Sequence, residues 1–297
     1  MTAYRSYKKG VDLLHMGHYQ AGFRLYEFRW HPLVMQATGE NWQKWIKAPK
    51  WDGERLIGKH ITVQMEQGFG DIIQFARFLP MLKAWGAKTL SVMCHESMMQ
   101  LLGTMDCIDY ISCSKTDGPP TEADYWIGSM SLPHFATYAP PFVKQSFPVT
   151  TKKIVGSEGY FEAKPSNIER KVGVNWSASN GPLHYTKSIP LETMRELVGD
   201  DVYSLHVEID DIFDPLPNDG WKRNFYKTAC HMKAMKAVVA PDTATAHLAG
   251  ALGVKCFLLL PDHDYICWRW KNATWYDSVV PLRKEEWHLL PSLLEEL

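Results

Sequence analysis

Several features of specialised protein classes are missing from this sequence. Its six cysteines include no CxxC pair, so their spacing predicts neither a zinc ribbon nor a redox dithiol. No stretch approaches the roughly 18 consecutive apolar residues of a membrane-spanning helix, and no basic, apolar signal segment opens the chain. We therefore expect a cytoplasmic protein with reduced thiols and no integral membrane contact.

An excess of charge of one sign is also missing. The formal net charge is −1, and no basic run exceeds the lysine pairs at 8–9 and 152–153. Proteins that bind nucleic acid tightly neutralise phosphates with Lys and Arg, usually from a basic stripe or patch. The composition therefore argues against nucleic acid as the main partner, while a local basic face stays open.

The usual nucleotide-binding fingerprints do not occur either. Neither GxGxxG nor GxxxxGKS/T is present, which removes the classical dinucleotide site and the P-loop. Asp262 and Asp264 form a DxD pair, a motif that in other enzymes holds a metal ion with a nucleotide diphosphate. No further carboxylate or histidine cluster completes a ligand set, so we expect no metal.

The sequence does contain two alternating series of strand and helix patterns. A chain of 297 residues, 45% hydrophobic and 22% charged, is long enough for two globular domains. The alternation starts near residue 60, loses periodicity over 138–170 and resumes at 171, which predicts an α/β protein with two Rossmann-like, doubly wound domains. Their limits are predicted at 51–150 and 151–297, after a helical hairpin and connector at 1–50. Predicted helices cover 71–85, 96–102, 130–137, 191–199, 222–235 and 243–252, with a terminal helix from about 285.

The first 30 residues are predicted to form one helical hairpin. Small residues such as Gly10 and Gly22 would let two antiparallel helices pack closely. The hairpin resembles a single tetratricopeptide-type unit, but no second copy follows, and repeat arrays need about three units to be stable. We expect it to dock on the following domain, through a connector rich in Trp and Pro that includes Trp42 and Trp45.

The segment "MEQGFGDIIQFARF" at 65–78 reads as the end of a strand and the start of a helix. Gly68 and Gly70 would permit a tight turn, and Asp71 would lie at the positive pole of the helix. A carboxylate there suits a general base or a helix cap equally well. Glu66 is the rival carboxylate.

Two later segments are predicted at the carboxyl ends of strands in the second domain. The loop "NWSASNGPLHYTKSIP" offers hydroxyls, amides and the cation of Lys187, and is either a phosphate-binding loop or a solvated one. In "VVAPDTATAHLAGALG", the helix that starts at Thr243 offers unpaired amides to an anion. His247 lies one turn further on the same helix face, where it suits a structural role and a functional one equally.

An aromatic segment follows the DxD pair. Its members Trp268, Arg269, Trp270, Trp275 and Tyr276 are predicted to form a packed, partly functional lid. Arg269 is able to stack on a ring or to pair with an anion.

Together these motifs resemble a known family. "EQGFGDIIQFARFLP", "VGVNWSA", "KSIPL", "DTATAHLAGALG" and "WYDSVVPLR", in this order, look like the glycosyltransferase-like domain that follows tetratricopeptide repeats in many bacterial proteins, related to the lipopolysaccharide heptosyltransferases. The resemblance runs from about residue 10 to 288. The sequence departs from it in having a single hairpin and "HMKAMKA" before the donor-binding helix, where relatives carry an acidic-apolar turn.

The resemblance implies a GT-B fold, with two Rossmann-like domains facing a cleft, and a metal-independent enzyme without a cofactor. By similarity, Asp71 matches the base that deprotonates the acceptor hydroxyl, and a nucleoside diphosphate sugar is the donor. The donor-binding candidates are Ser177, Lys187, Asp242, Thr243, Ala244 and His247. Accessory candidates are Glu66, Gln67, Gly68, Gly70, His206, Arg269 and Trp270.

Three functions follow for comparison. The leading hypothesis is sugar transfer to a hydroxyl of a glycan or a protein. Transfer to a hydroxylated base in DNA is an alternative, against which the neutral charge argues. A non-catalytic binding module that keeps the GT-B shell is the third.

Overall fold

The computed structural model describes residues 2–38, 47–117, 122–137, 159–178, 184–207, 213–261, 267–271 and 275–297. The chain divides into two compact units. Unit 1 comprises Met1–Gly156 with Trp268–Thr274, and unit 2 comprises Ser157–Cys267 with Trp275–Leu297. Trp42, Trp45, Asp262 and Asp264 lie outside the described residues, as does most of the predicted aperiodic stretch.

Helices and strands alternate in both units. The α-helices are α1 Thr2–His15, α2 Tyr19–Tyr26, α3 Pro32–Thr38, α4 Phe69–Ala76, α5 Leu79–Ala84, α6 Glu96–Leu102, α7 Leu132–Thr137, α8 His184–Lys187, α9 Leu191–Val198, α10 Phe225–Ala234, α11 Ala244–Ala251, α12 Trp268–Lys271 and α13 Leu290–Glu295. The strands are β1 His60–Gln64, β2 Thr89–Cys94, β3 Tyr110–Cys113, β4 Tyr125–Gly128, β5 Val172–Val174, β6 Val202–Ser204, β7 Val238–Ala240, β8 Cys256–Leu260 and β9 Val279–Arg283. Short 3₁₀ turns occupy Glu27–Trp30, Ser129–Ser131, Trp221–Arg223 and Lys284–Leu289.

Unit 1 contains a four-stranded parallel sheet in the order β3-β2-β1-β4. In its register Val63 of β1 pairs with Val92 of β2 on one side and Ile127 of β4 on the other. These three side chains are buried, which explains why the central strands read as apolar runs.

Unit 2 contains a five-stranded parallel sheet in the order β6-β5-β7-β8-β9. Its core joins Val174, Val239, Phe257 and Leu282 from four of the strands. The sheets, their parallel strands and the N-terminal helices confirm the predicted α/β class.

The helices α3, α8 and α12 were not predicted, and α8 lies in the segment 175–190 that was expected to be a loop. Two further differences involve proline. The helix predicted over 71–85 is two helices, α4 and α5, because Pro80 in the first turn of α5 has no N–H to continue the ladder of α4. The strand β9 was not predicted, and its sequence "VVPLR" contains Pro281. Proline is tolerated on an edge strand, and β9 forms one edge of the second sheet.

The hairpin of α1 and α2 packs tightly because two glycines lie at its seam. A Cβ on Gly10 would lie 2.7 Å from the amide nitrogen of Tyr26, and one on Gly22 would lie 2.8 Å from the side chain of Leu14. Both distances are shorter than a real Cβ contact, so the close approach of α1 and α2 needs glycine at these two positions.

Within the described helices, none combines the length and apolar character that crossing a membrane requires.

Candidate functional site

The first candidate site begins where β1 ends. The strand order of the first sheet reverses between β1 and β4, because β2 follows on the other side of β1. Ligands of open parallel sheets bind outside the carboxyl ends of the strands at such a switch point. The segment 65–71, which carries Glu66 and Asp71, leaves β1 there.

Glu66 occupies this switch point as half of a buried ion pair. Its side chain is 0% exposed, and it accepts hydrogen bonds from Nε and a terminal nitrogen of Arg29 at 3.1 and 3.0 Å. The amide of Met130 donates to it at 2.9 Å. A Cβ on Gly128 would lie 2.1 Å from Oε2 of Glu66, so the carboxylate fits only because β4 ends in glycine. Both oxygens of Glu66 are engaged, which fits a structural role.

Burial disfavours every charge in this cluster, and pairing among its members opposes that effect. Burial raises the pKa of Glu66, while Arg29 acts to lower it. Burial also acts to raise the pKa of Glu27, but Arg29 and Lys50, at 2.5 and 2.8 Å, outweigh it and lower that pKa to about 2. Burial acts to lower the pKa of Arg29, but Glu66 and Glu27 raise it. Arg29 is therefore a cation held by two carboxylates.

The sequence suggested that glycine forms the turn after Glu66, but the residue with the left-handed backbone is Gln67. Gln67 has a φ of 61°, and its Nε2 donates to the hydroxyl of Tyr26 in α2 at 3.1 Å. Gly68 is extended, with φ −79° and ψ 168°, and Gly70 is the second residue of α4. The left-handed conformation is uncommon for a residue with a side chain, so the Tyr26 contact helps to hold the turn.

Asp71 is the third residue of α4 and serves as a cap. Its Oδ2 accepts the amide of Gly68 at 3.3 Å. Its Oδ1 accepts Nε2 of Gln74 at 3.1 Å and a terminal nitrogen of Arg269 at 2.6 Å. The side chain stays 21% exposed. Within the described part of the chain, Oδ2 has only the long bond from Gly68, so it is the oxygen with capacity for a further proton.

Arg269 reaches Asp71 from a position 198 residues later in the chain. Its guanidinium lies 4.9 Å from the ring centroid of Trp268 and 5.7 Å from that of Phe75, so it stacks as well as pairs. Trp268 and Trp270 are buried in α12. The predicted lid residues Trp268, Arg269 and Trp270 are therefore packed parts of unit 1.

The second candidate site lies at the switch point of the second sheet, between β5 and β7. Asn175 follows β5, and its Nδ2 donates to the hydroxyls of Thr245 and Thr243 after β7, at 3.2 and 3.4 Å. Asn175 is buried. The sequence did not single it out, although its place directly after an apolar strand was a usable signal.

The helix α11 starts directly after Thr243, one of the two threonines that Asn175 bonds. Thr243 is the N-cap residue, with an extended backbone and no side-chain bond to the helix amides. Ala244 is the first helical residue. The first amides of a helix have no partner within it and carry the positive end of its dipole, so they favour an anion.

Lys187 and Asp242 form an ion pair beside this helix start. Their Nζ and Oδ2 atoms are 2.8 Å apart, with 21% and 10% of the side chains exposed. The other oxygen, Oδ1, lies 3.9 Å from Nε2 of His247. Three residues predicted for the donor site are thus brought together by the fold.

His247 is buried and is held from its other ring nitrogen. Nδ1 lies 3.2 Å from the hydroxyl of Tyr276, and the rings pack at 5.9 Å. The same tyrosine covers Gly250 of α11. The sequence segment 268–276 therefore supplies a partner to each candidate site, since Arg269 contacts Asp71 in unit 1 and Tyr276 contacts His247 in unit 2.

Gly250→Ala is expected to destabilise the protein by about 1–3 kcal/mol through overpacking. The added Cβ would lie 2.3 Å from Cγ of Tyr276, and its three nearest neighbours are all atoms of that ring. In a Tyr276→Ala background the clash is gone, and the better helix propensity of Ala should make the same change stabilising by about 0.5–1 kcal/mol. Thermal unfolding of the four proteins checks this reversal; an equal cost in both backgrounds would contradict it.

The remaining predicted residues have local roles. The hydroxyl of Ser177 donates to the carbonyl of Ala178 at 3.0 Å. His206 is buried and stacks on Trp176 at 4.6 Å. Ser177 follows β5 and His206 follows β6, the first two strands of unit 2.

Across the described residues, no three His, Cys, Asp or Glu side chains converge as metal ligands.

Three solved structures share this fold. The glycosyl transferase family 9 protein from Veillonella parvula aligns with a TM-score of 0.52 and 13% identity, over 82% of this chain and 91% of its own. The ADP-heptose lipopolysaccharide heptosyltransferase II of E. coli aligns with a TM-score of 0.54 and 14% identity, over 80% of this chain and 97% of its own. E. coli heptosyltransferase WaaC with ADP aligns with a TM-score of 0.57 and 10% identity, over 80% of this chain and 99% of its own. The chain therefore has the GT-B fold of the heptosyltransferases.

Sequence comparisons give less information than the structural comparison. No protein-family model matches the chain. Protein FlbA of Caulobacter vibrioides is 32% identical over 78 residues, which are 26% of this chain. The match spans only 12% of FlbA.

Proposed function

We propose that this protein is a glycosyltransferase that moves a sugar from a nucleoside diphosphate sugar to an acceptor hydroxyl. One observation carries the proposal. In a GT-B fold, the residues that the sequence motifs single out lie at the switch point of each parallel sheet, Asp71 in unit 1 and Lys187 with Asp242 in unit 2. Fold alone would not justify the assignment, because one fold hosts many functions.

The donor is assigned to unit 2. The switch point of unit 1 is filled by Glu66 and Arg29, whereas that of unit 2 carries a cation and a helix start. Lys187 has three N–H donors; among the described residues Asp242 accepts one, and the others can serve a diphosphate. Binding of ADP and ADP-sugar analogues by the WaaC structures supports a nucleotide ligand of this class.

Asp71 is assigned as the general base. Oδ2 of Asp71 takes the proton of the acceptor hydroxyl while the hydroxyl oxygen forms a bond to the anomeric carbon of the donor. The bond from that carbon to the phosphate oxygen breaks, and its electron pair leaves with the nucleoside diphosphate. Lys187 and the first amides of α11 stabilise the charge that develops on the leaving group.

A thermal-shift screen with ADP-, GDP-, UDP- and CMP-sugars tests the proposal. One nucleotide should raise the melting temperature as its concentration rises, because a ligand that binds the native state stabilises it. The same donor should then be consumed in an acceptor or hydrolysis assay. A non-catalytic module would show no turnover of any donor, and no shift with any nucleotide would remove the donor site as well.

Lys187→Met is expected to weaken binding of the selected nucleotide by about tenfold, the effect of losing one charge-assisted contact. Isothermal titration with the nucleoside diphosphate measures this. Lys255→Met is the matched control, since Lys255 precedes β8 at the amino end of the same sheet. Equal affinities of the two variants and the wild type would take Lys187 out of the donor site.

A further inference from the structure

Tyr26, at the end of α2, and Arg29, just after it, bond directly to the segment 66–71, which we call the base loop. Arg29 follows α2 and holds Glu66 at the start of the loop. The hydroxyl of Tyr26, the last residue of α2, accepts the bond from Gln67, the residue with positive φ. The hairpin thus contacts the first two residues of the loop, where its direction is set.

A third contact reaches the last residue of the loop through α12. Trp268 packs on Tyr19 and Phe23 of α2, with ring centroids 5.5 and 5.7 Å apart. Trp268 in turn lies against the guanidinium of Arg269, which bonds to Oδ1 of Asp71 at 2.6 Å. One face of α2 therefore reaches Asp71 through two packed side chains.

We propose that the single hairpin is a positioning element for Asp71, and that it fixes the base loop at both ends. The inference rests on the proposed function for what Asp71 does, but not for how the loop is held. A left-handed residue such as Gln67 persists only where its surroundings impose it, and Tyr26 supplies that constraint. A rotamer fixed by packing and hydrogen bonds is what a general base needs to meet a hydroxyl.

Tyr26→Phe tests the direct contact because it removes one hydroxyl and keeps the ring. The ring packs against Tyr7 at 5.6 Å and against Arg29 at 5.0 Å, and both contacts survive the change. The amides of Gly68 and Ile72, bonded to Asp71 and to the Gly68 carbonyl, report on the loop. We expect them to exchange with deuterium about three- to tenfold faster, the factor for losing one hydrogen bond. Tyr4→Phe, at an exposed residue of α1, is the control and should leave the exchange of both amides unchanged.

Activity gives the second readout. In Tyr26→Phe, kcat should fall by a factor similar to the rise in exchange, with KM for the donor unchanged, because a misplaced base affects the chemical step only. Phe23→Leu tests the indirect route in the same way, since it keeps an apolar side chain but loses the edge contact to Trp268.

Amide hydrogen exchange and activity together distinguish the positioning role from the glycosyltransferase assignment. Unchanged loop exchange in both Tyr26→Phe and Phe23→Leu would overturn the positioning role, whatever the activity. If the variants show faster loop exchange and the wild type turns over no donor, the positioning role would be supported and the glycosyltransferase assignment refuted.

Discussion

Asp71→Asn is expected to slow sugar transfer by about 10²- to 10⁴-fold, the usual contribution of a general base. The carboxamide has nearly the same shape, but it has one acceptor oxygen where the carboxylate has two, and it does not take up a proton at neutral pH. Donor affinity should stay within about twofold of the wild type, because Asp71 belongs to unit 1 and the donor is assigned to unit 2. Steady-state kinetics with nucleotide titration measure both quantities.

Asp124→Asn is a matched control for this change. Asp124 also accepts a backbone amide, that of His60 at 2.8 Å, and pairs with a cation, Lys59 at 2.8 Å. It precedes β4 at the amino end of the same sheet, away from the carboxyl ends where ligands bind. Asp124→Asn should therefore keep full turnover. Turnover of Asp71→Asn equal to that of this control would remove Asp71 as the base.

The secondary structure was largely predictable because parallel strands buried on both faces leave a strong apolar signal. Helix α6 has the predicted limits, 96–102, and the start of α9 at Leu191 was also predicted. Two of the errors involve proline, whose effect depends on tertiary context. Pro80 ends one helix and starts another, while Pro281 is accepted in β9 because that strand is an edge.

The candidate site was predictable only in part. Motif order pointed to Asp71, Lys187, Asp242 and His247, and the fold brings the last three together. Their partners were not visible, because the pairs join distant positions. Arg269 and Asp71 are 198 residues apart, and nothing in either local sequence encodes that contact.

The two switch points carry different residues, and the proposed function rests on this difference. In unit 1 Glu66 and the guanidinium of Arg29 form a buried ion pair, so a nucleotide would have to displace it. In unit 2 neutral hydrogen bonds join Asn175 to two threonines, and the less buried Lys187–Asp242 pair lies beside the helix start. A diphosphate that binds there would meet a cation and the first amides of a helix.

Arg29→Met is expected to lower the free energy of unfolding of unit 1 by about 3–5 kcal/mol at neutral pH, since it removes the cation that pairs with both Glu66 and Glu27. Met keeps the length and the apolar stem but donates no hydrogen bond, so Glu66 loses two of its bonds. Arg195→Met is the control: Arg195 and Asp200 form an exposed pair at 2.7 Å, and such pairs contribute at most about 1 kcal/mol.

The loss in free energy of unfolding caused by Arg29→Met should depend on pH in a defined direction. Burial raises the pKa of Glu66, and in the variant Arg29 no longer opposes that rise. A carboxyl whose folded pKa lies above its unfolded value of about 4.3 contributes stability at low pH and loses it as pH rises through the folded pKa. The gap between wild type and Arg29→Met should therefore be smallest near about pH 5 and widen toward about pH 8 in chemical denaturation. A gap that is constant across this range, or that narrows as pH rises, would show that Glu66 does not remain a buried, unpaired carboxyl in the variant.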